Sequence, residues 1–459
     1  MGQSFCVDRE LLERLVEYAD IKTSDTVLEI GAGLGSLTIL LAEKAGTGTV
    51  LAVEIDPALA RILRRIFHER PNIRIIEGDI LCQGHLAFQK VAANPPYSIS
   101  LPLLLSLLRW KFDSAVLTLQ REFAEKLVAK PGEAQYGQLS VLTSHSKDVE
   151  FMEKVRKSAF YPQPKVESVV VRIRQRTPAF HVRDEEVFAR MVKTLFTQRN
   201  RVARNGLETF LRNSAGATKA EAKRLLEMFP HLDRRVEDLK GKEFADIADA
   251  AVDLVKSKKL TFEKLSFYVF PEVYVPSDDT FLLAKHLDVS EGESVLEMGT
   301  GCGLLGMLAA KRGANVVAVD INPNAVRCAV LNAELNGVTC RFDARQGSLF
   351  EAVSGLKFTF ILFNPPYLPT DESDRANGWL EKAWEGGSTG REIIEKFIEE
   401  LPNYLEPNGR MLMVLSSLSA PERVIAILTA LGFEVAVLEE ELLEFERLVI
   451  LKAVHRNQV

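Results

Sequence analysis

The chain has 459 residues, of which 47% are hydrophobic and 26% charged, and a formal net charge of −6. At roughly 100–200 residues per domain, that length calls for two or three cores, and a composition this close to the globular average excludes intrinsic disorder and collagen-like repeats. Five cysteines (Cys6, Cys82, Cys302, Cys328 and Cys340) form no C-x-x-C pair and are odd in number, which argues against a disulfide framework and a zinc site, so no metal is expected.

The N-terminus has no basic stretch followed by an apolar one, and apolar runs such as Leu101 to Leu108 fall well short of the roughly 18–20 residues a membrane-spanning helix needs. A cytoplasmic protein with no membrane partner is expected. Strand-like runs then follow in order: TVLEI from Thr26, TVLAVEI from Thr49, IRIIEGD from Ile73, KVAAN from Lys90 and AVLTLQ from Ala115. Helical patterns separate them, the rhythm of a parallel sheet with helices on both faces. From about residue 179 to 253 the alternation stops, and stretches such as Glu186 to Phe196 and Lys219 to Met228 read as amphipathic helices. A charged stretch, Val255 to Lys259, places a boundary near residue 260.

Beyond it the pattern starts again. VLEIGAGLG at Val27 to Gly35 returns as VLEMGTGCG at Val295 to Gly303, VLAVEIDP at Val50 to Pro57 as VVAVDINP at Val316 to Pro323, and ANPPY at Ala93 to Tyr97 as FNPPY at Phe363 to Tyr367. The fold unit occurs twice. Expected domains are 1–178, 179–255 and 262–459, the fold class being α/β with two Rossmann-like domains, the first extended by a small helical C-terminal subdomain. Residues 1–258 carry 39 Lys and Arg against 34 Asp and Glu, a net of +5, and the remainder carries 18 against 29, a net of −11. Residues 151–224 hold 17 basic and 7 acidic side chains, the footprint of a nucleic-acid-binding surface.

A G-x-G turn after a strand (Gly31 and Gly33; Gly299 and Gly301) lets a ligand approach the backbone and suits dinucleotides and S-adenosylmethionine alike. The acid ending the next strand, Glu54 or Asp320, is placed to accept hydrogen bonds from a ribose hydroxyl pair. Asn-Pro-Pro-Tyr at the end of a later strand decides between the two ligands, because dehydrogenases have no use for it. A planar amine or amide nitrogen is a poor nucleophile and must be held. The side-chain oxygen of Asn94 or Asn364 and the carbonyl of Pro95 or Pro365 can accept hydrogen bonds from such an NH2 group, with Tyr97 or Tyr367 offering a face for the planar group. Methyl transfer would then rest on positioning and electrostatics.

At these residues the first half resembles the ribosomal RNA adenine dimethyltransferases, which modify two adjacent adenosines near the 3′ end of small-subunit rRNA. The resemblance runs from QSF at Gln3 through LQREFAEKLVAKPGEAQYGQLSVL at Leu119 and FYPQPKVESVVVRI at Phe160 to LFTQRNRVARNGL at Leu195. It implies class I S-adenosylmethionine-dependent chemistry, with cofactor contacts from Gln3, Ser4, Cys6, Gly31, Gly33, Glu54, Asp79 and Asn94. It further implies base stacking by Tyr97 and Phe160, and phosphate contacts from basic residues such as Arg199, Arg201 and Arg204. Ser4 and Cys6 stand where the family usually has Asn and Leu.

The second half resembles the archaeal and eukaryotic branch of the HemK-type methyltransferases, which act on the glutamine of the Gly-Gly-Gln loop in class I release factors. VYVPSDDTFLL at Val273 and AWEGGSTGREIIEKF at Ala383 carry that resemblance. It implies cofactor contacts from Thr280, Glu297, Gly299, Gly301, Asp320, Ser348 and Asn364, a glutamine amide gripped by Asn364 and Pro365 and flanked by Tyr367, and a small zinc-binding activator subunit as partner. Ser348 replaces the family's usual acid. The sequence leaves as alternatives a DNA adenine methyltransferase, for which no target-recognition stretch is evident, a ribosome-assembly factor with one silent half, and a second half acting on lysine.

Overall fold

The computed structural model describes residues 5–83, 86–370 and 378–455. The chain divides into two compact units, Met1–Leu207 with Pro230–Ala250, and Glu208–Phe229 with Ala251–Val459. The stretch 179–255 is therefore shared between them. Residues 208–229 join the second unit through specific bonds: Lys259 pairs with Glu221 at 2.6 Å, Arg224 donates to the Leu335 carbonyl at 2.8 Å, and the Tyr268 hydroxyl donates to the Ala215 carbonyl at 3.1 Å.

The first unit contains strands β1 (Phe5–Cys6), β2 (Thr26–Ile30), β3 (Thr49–Glu54), β4 (Ile73–Glu77), β5 (Lys90–Ala93), β6 (Ser114–Gln120), β7 (Lys147–Val155), β8 (Phe160–Tyr161) and β9 (Ser168–Gln175). Seven form one sheet in the order β4-β3-β2-β5-β6-β9-β7, parallel from β4 to β6 and antiparallel at β9 and β7. Val27, Leu28, Val91 and Val116 are fully buried, as expected for strands covered by helices on both faces.

The second unit contains β10 (Lys258–Phe262), β11 (Leu265–Val269), β12 (Ser294–Met298), β13 (Asn315–Asp320), β14 (Phe342–Gln346), β15 (Phe358–Phe363), β16 (Leu405–Ser416), β17 (Phe433–Leu442) and β18 (Arg447–His455). Its sheet runs β14-β13-β12-β15-β16-β18-β17, with β10 and β11 as a separate hairpin. The two large sheets correspond strand for strand, and both units are Rossmann-like α/β folds.

Local chemistry explains the repeat. Helix Pro57–Ile66 starts with Asp56 accepting from the Ala58 N–H at 2.8 Å, and helix Pro323–Asn336 with Asn322 accepting from the Asn324 N–H at 2.9 Å. An Asp or Asn cap followed by proline at the first helical position satisfies a free N–H and presets the backbone. In each sheet the strand order reverses between β2 and β5, or β12 and β15, which opens a crevice beyond the carboxyl ends of those strands.

Candidate active sites

In the first unit the crevice is a cleft of about 1120 Å³. Gly31 leaves β2 with positive φ, and its N–H donates to the Val53 carbonyl at 2.9 Å, which ties the turn to β3. Glu54 ends β3 almost fully buried, one carboxylate oxygen accepting from the Gly33 N–H at 2.8 Å and the other from the Asp56 N–H at 2.9 Å. This clamp holds the glycine turn open while leaving each oxygen a further lone pair. Asn94 stands at the end of β5, and the ring of Pro96 lies 3.5 Å from where a Cβ on Gly31 would sit, so the two motifs face each other closely.

Cys6, Gly31, Gly33, Glu54, Asp79 and Asn94 all line this cleft, whereas Pro95, Tyr97 and Phe160 do not. Gln3 and Ser4 lie outside the described residues. Tyr97 is half-buried, with its hydroxyl hydrogen-bonded to the Ser168 hydroxyl and its pKa pushed up by burial. Phe160, expected to stack on a base, is only 2% exposed and packs in the core, while neighbouring Tyr161 is 73% exposed. The reason is register: β1 pairs with β8 so that Cys6 opposes Phe160, and successive side chains of a strand point to opposite faces. Arg199 also departs from expectation. Its guanidinium donates to the Glu133 and Ala134 carbonyls and pairs with Glu237, bracing a loop rather than standing free for phosphate.

Glu29 was not singled out from sequence. It lies one residue before the strand's end, fully buried in the cleft wall, and among the described residues one of its carboxylate oxygens has no hydrogen-bond partner. Burial, reinforced by the Glu54 charge, pushes its pKa up to about 8.

The second unit repeats the arrangement around a cleft of about 520 Å³. Asp320 accepts from the Gly301 N–H at 2.8 Å and the Asn322 N–H at 2.9 Å, the clamp of Glu54 again, and burial raises its pKa. Glu297, the counterpart of Glu29, accepts from the Thr300 hydroxyl and is pushed by burial up to about 7. Thr280, Glu297, Gly299, Gly301, Asp320, Ser348, Asn364, Pro365 and Tyr367 all line this one cleft.

What the sequence did not disclose is Asp279. Buried at the start of helix Asp278–Lys285, it accepts hydrogen bonds from the Tyr274 hydroxyl (3.2 Å), the Tyr367 hydroxyl (3.3 Å), the Asn364 amide nitrogen (3.1 Å) and the Thr280 N–H (2.6 Å). An ionised carboxylate can only accept, so it fixes which way the Asn364 amide points: nitrogen towards Asp279, oxygen towards the cleft. Burial of the two tyrosines, reinforced by the Asp279 charge, raises the pKa of both.

Residues 1–249, more than half of the chain, match the ribosomal RNA adenine dimethylase family, and residues 273–381 match the methyltransferase small domain. The chain belongs to the ribosomal RNA adenine dimethylase family. The dimethylase half is 40% identical over 254 residues to a ribosomal RNA small subunit methyltransferase A of Methanosarcina mazei, which spans 55% of this chain and 92% of that protein. The other half is 44% identical over 195 residues to a Methanocaldococcus jannaschii protein that carries the name protein N5-glutamine methyltransferase, covering 42% of this chain and 98% of that one. Among solved structures, a dimethyladenosine transferase from Plasmodium falciparum is 26% identical, with a TM-score of 0.45, covering 53% of this chain and 95% of that one. The chain thus joins two S-adenosylmethionine-dependent methyltransferase domains, one rRNA adenine dimethylase-like and the other protein glutamine methyltransferase-like.

The residues present fit that cofactor. Each cleft offers a left-handed glycine turn, a clamped acid at the end of the adjacent strand and a buried carboxyl.

Proposed function

We propose that the dimethylase half transfers methyl groups to the exocyclic amines of two adjacent adenosines near the 3′ end of small-subunit rRNA. The second half, on this proposal, methylates the glutamine side-chain amide in the Gly-Gly-Gln loop of a class I release factor, in the cytoplasm where both substrates act. The observation that carries the reading is the placement of Asn94 and Asn364, each at the end of the central strand beside the reversal of order and opposite the glycine turn.

S-adenosylmethionine supplies an electrophilic methyl carbon on a sulfonium. Gly31, Gly33, Glu54 and Asp79 in one cleft, and Thr280, Gly299, Gly301, Asp320 and Ser348 in the other, hold the cofactor. Asn94 and Asn364 accept a hydrogen bond from the substrate NH2 through their side-chain oxygens, and in the second cleft the Pro365 carbonyl accepts the other. Both bonds draw the nitrogen towards a tetrahedral shape with its lone pair aimed at the methyl, so the gain is in positioning. A target adenine must be unpaired or flipped out to reach the first cleft.

The charge split supports the division of labour. The net charge of +5 on residues 1–258 favours RNA, and that of −11 on the remaining residues favours a protein with a basic face. The test is incubation with labelled S-adenosylmethionine, unmethylated small subunits, and a release factor together with the small zinc-binding activator, followed by mass spectrometry of both products. Dimethyladenosine and N5-methylglutamine are expected. Label on lysine, or on neither substrate, would overturn the corresponding half of the reading.

A further inference from the structure

We propose that the tip of the β17–β18 hairpin docks the protein acceptor of the second half, with Phe445 and Leu442 as apolar anchors and Glu446 receiving a cationic side chain next to the acceptor residue. The inference rests on the reading of this half as a protein methyltransferase and names the surface that reading lacks.

β17 is the outer strand of its sheet, and the turn into β18 is closed by the Leu443 N–H donating to the Glu446 carbonyl at 2.8 Å. Leu442 is 83% and Phe445 85% exposed, with Val437 and Leu438 also exposed further back along the same strand. Single exposed apolar residues are ordinary, but a group of them on one element marks an interaction site. Neither Leu442 nor Phe445 contributes to the core, so the fold itself does not account for them.

The charge around them selects the partner. Residues 433–447 hold six glutamates and one arginine, and that arginine, Arg447, is paired with Glu440 and Glu422. Such a rim repels nucleic acid and attracts a basic protein surface. Glu446 makes the patch continuous with the reaction site, because it lines the same cleft as Tyr367 and Asn364. Among the described residues its Oε2 is shielded from water and has no hydrogen-bond partner, and a carboxylate oxygen left so is costly until a donor arrives. A lysine or arginine of the acceptor, entering beside the residue to be methylated, would supply that donor while an apolar neighbour covers Phe445.

The full chain carrying Leu442→Ser with Phe445→Ser, and separately Glu446→Gln, should raise KM for the release factor roughly tenfold or more, the scale of losing an interface anchor. In the Leu442→Ser, Phe445→Ser variant the dissociation constant for S-adenosylmethionine should stay within twofold, as should the labelling of small ribosomal subunits in both variants. Serines at positions this exposed leave the fold intact, and Glu446→Gln keeps the side chain's shape, so misfolding does not mimic the result. An unchanged KM in both variants, with wild type active on the release factor, would overturn the docking proposal and leave the assigned reaction standing. No labelling of the release factor by wild type would overturn the assigned acceptor and the hairpin's partner with it.

Discussion

Replacing Asp279 by asparagine tests whether the second cleft is organised as its geometry implies. One carboxylate oxygen, Oδ2, accepts from Tyr274, Tyr367 and Asn364 at 3.1–3.3 Å, and the other is held by the Thr280 N–H at 2.6 Å. With Oδ1 kept on Thr280, an asparagine would turn its NH2 group towards three donors, and the opposite rotamer would set that group against the Thr280 N–H. In the first case the Asn364 amide keeps only the Thr280 hydroxyl as acceptor, and in the second the Thr280 N–H loses its own, so neither rotamer reproduces the wild-type arrangement. A hydrogen bond to a charged group is worth roughly 1.5–3 kcal/mol, and at about 1.4 kcal/mol per tenfold kcat on the protein acceptor should fall roughly 10- to 150-fold. The assay is methyl incorporation into the release factor by the full chain, with rRNA labelling by the first half as internal control. A variant whose kcat stays within threefold of wild type would refute the orienting role of Asp279.

Four further outcomes follow from the structure. Glu29, with a folded pKa of about 8 against 4.5 for an ordinary glutamate, keeps a proton that the unfolded chain gives up, so its contribution to stability is fully present below about pH 4.5 and is lost as pH rises towards 8. The stability advantage of Glu29→Gln over wild type, from chemical denaturation, should therefore grow from pH 5 to pH 8, and a pH-independent difference would contradict the buried carboxyl. Gly35→Ala should destabilise the first unit by roughly 2 kcal/mol or more, since φ is +83° and a Cβ would meet the Phe67 ring at 2.8 Å and Leu63 at 2.9 Å; an unchanged melting temperature would count against this packing. Binding of small ribosomal subunits should weaken with salt, and Lys165→Ala, at an exposed position, should lower the slope of log K against log salt by about 1. Arg199→Ala should instead lower thermal stability, because its guanidinium braces the 133–134 carbonyls.

Much of the site was legible because its parts are local. A glycine turn, a strand-ending acid and Asn-Pro-Pro-Tyr are each a few residues long, sit at strand ends and occur twice, so the order of the strands alone brings them to one crevice. Residues whose role depends on packing were not legible. Asp278 and Asp279 are chemically identical in the sequence, yet only Asp279 is turned inwards to meet Asn364, 85 residues away. Phe160 and Tyr161 form a two-residue strand, too short for periodicity to say which faces inwards, and pairing with β1 decides it. Residues 208–229 show an apolar helical face in the sequence, but which unit covers that face depends on partners such as Lys259 and Leu335. Glu29 and Glu446 follow the same rule, since burial without a partner is visible only once the walls around them are built.

The most direct test of two separate methyltransferase centres on one chain is cross-labelling of wild type, Asn94→Ala and Asn364→Ala with labelled S-adenosylmethionine, small ribosomal subunits and a release factor with its activator. Asn94→Ala should abolish rRNA labelling and spare the release factor, and Asn364→Ala should do the reverse. Loss of both activities in either variant, or of neither, would contradict two independent centres built on these asparagines.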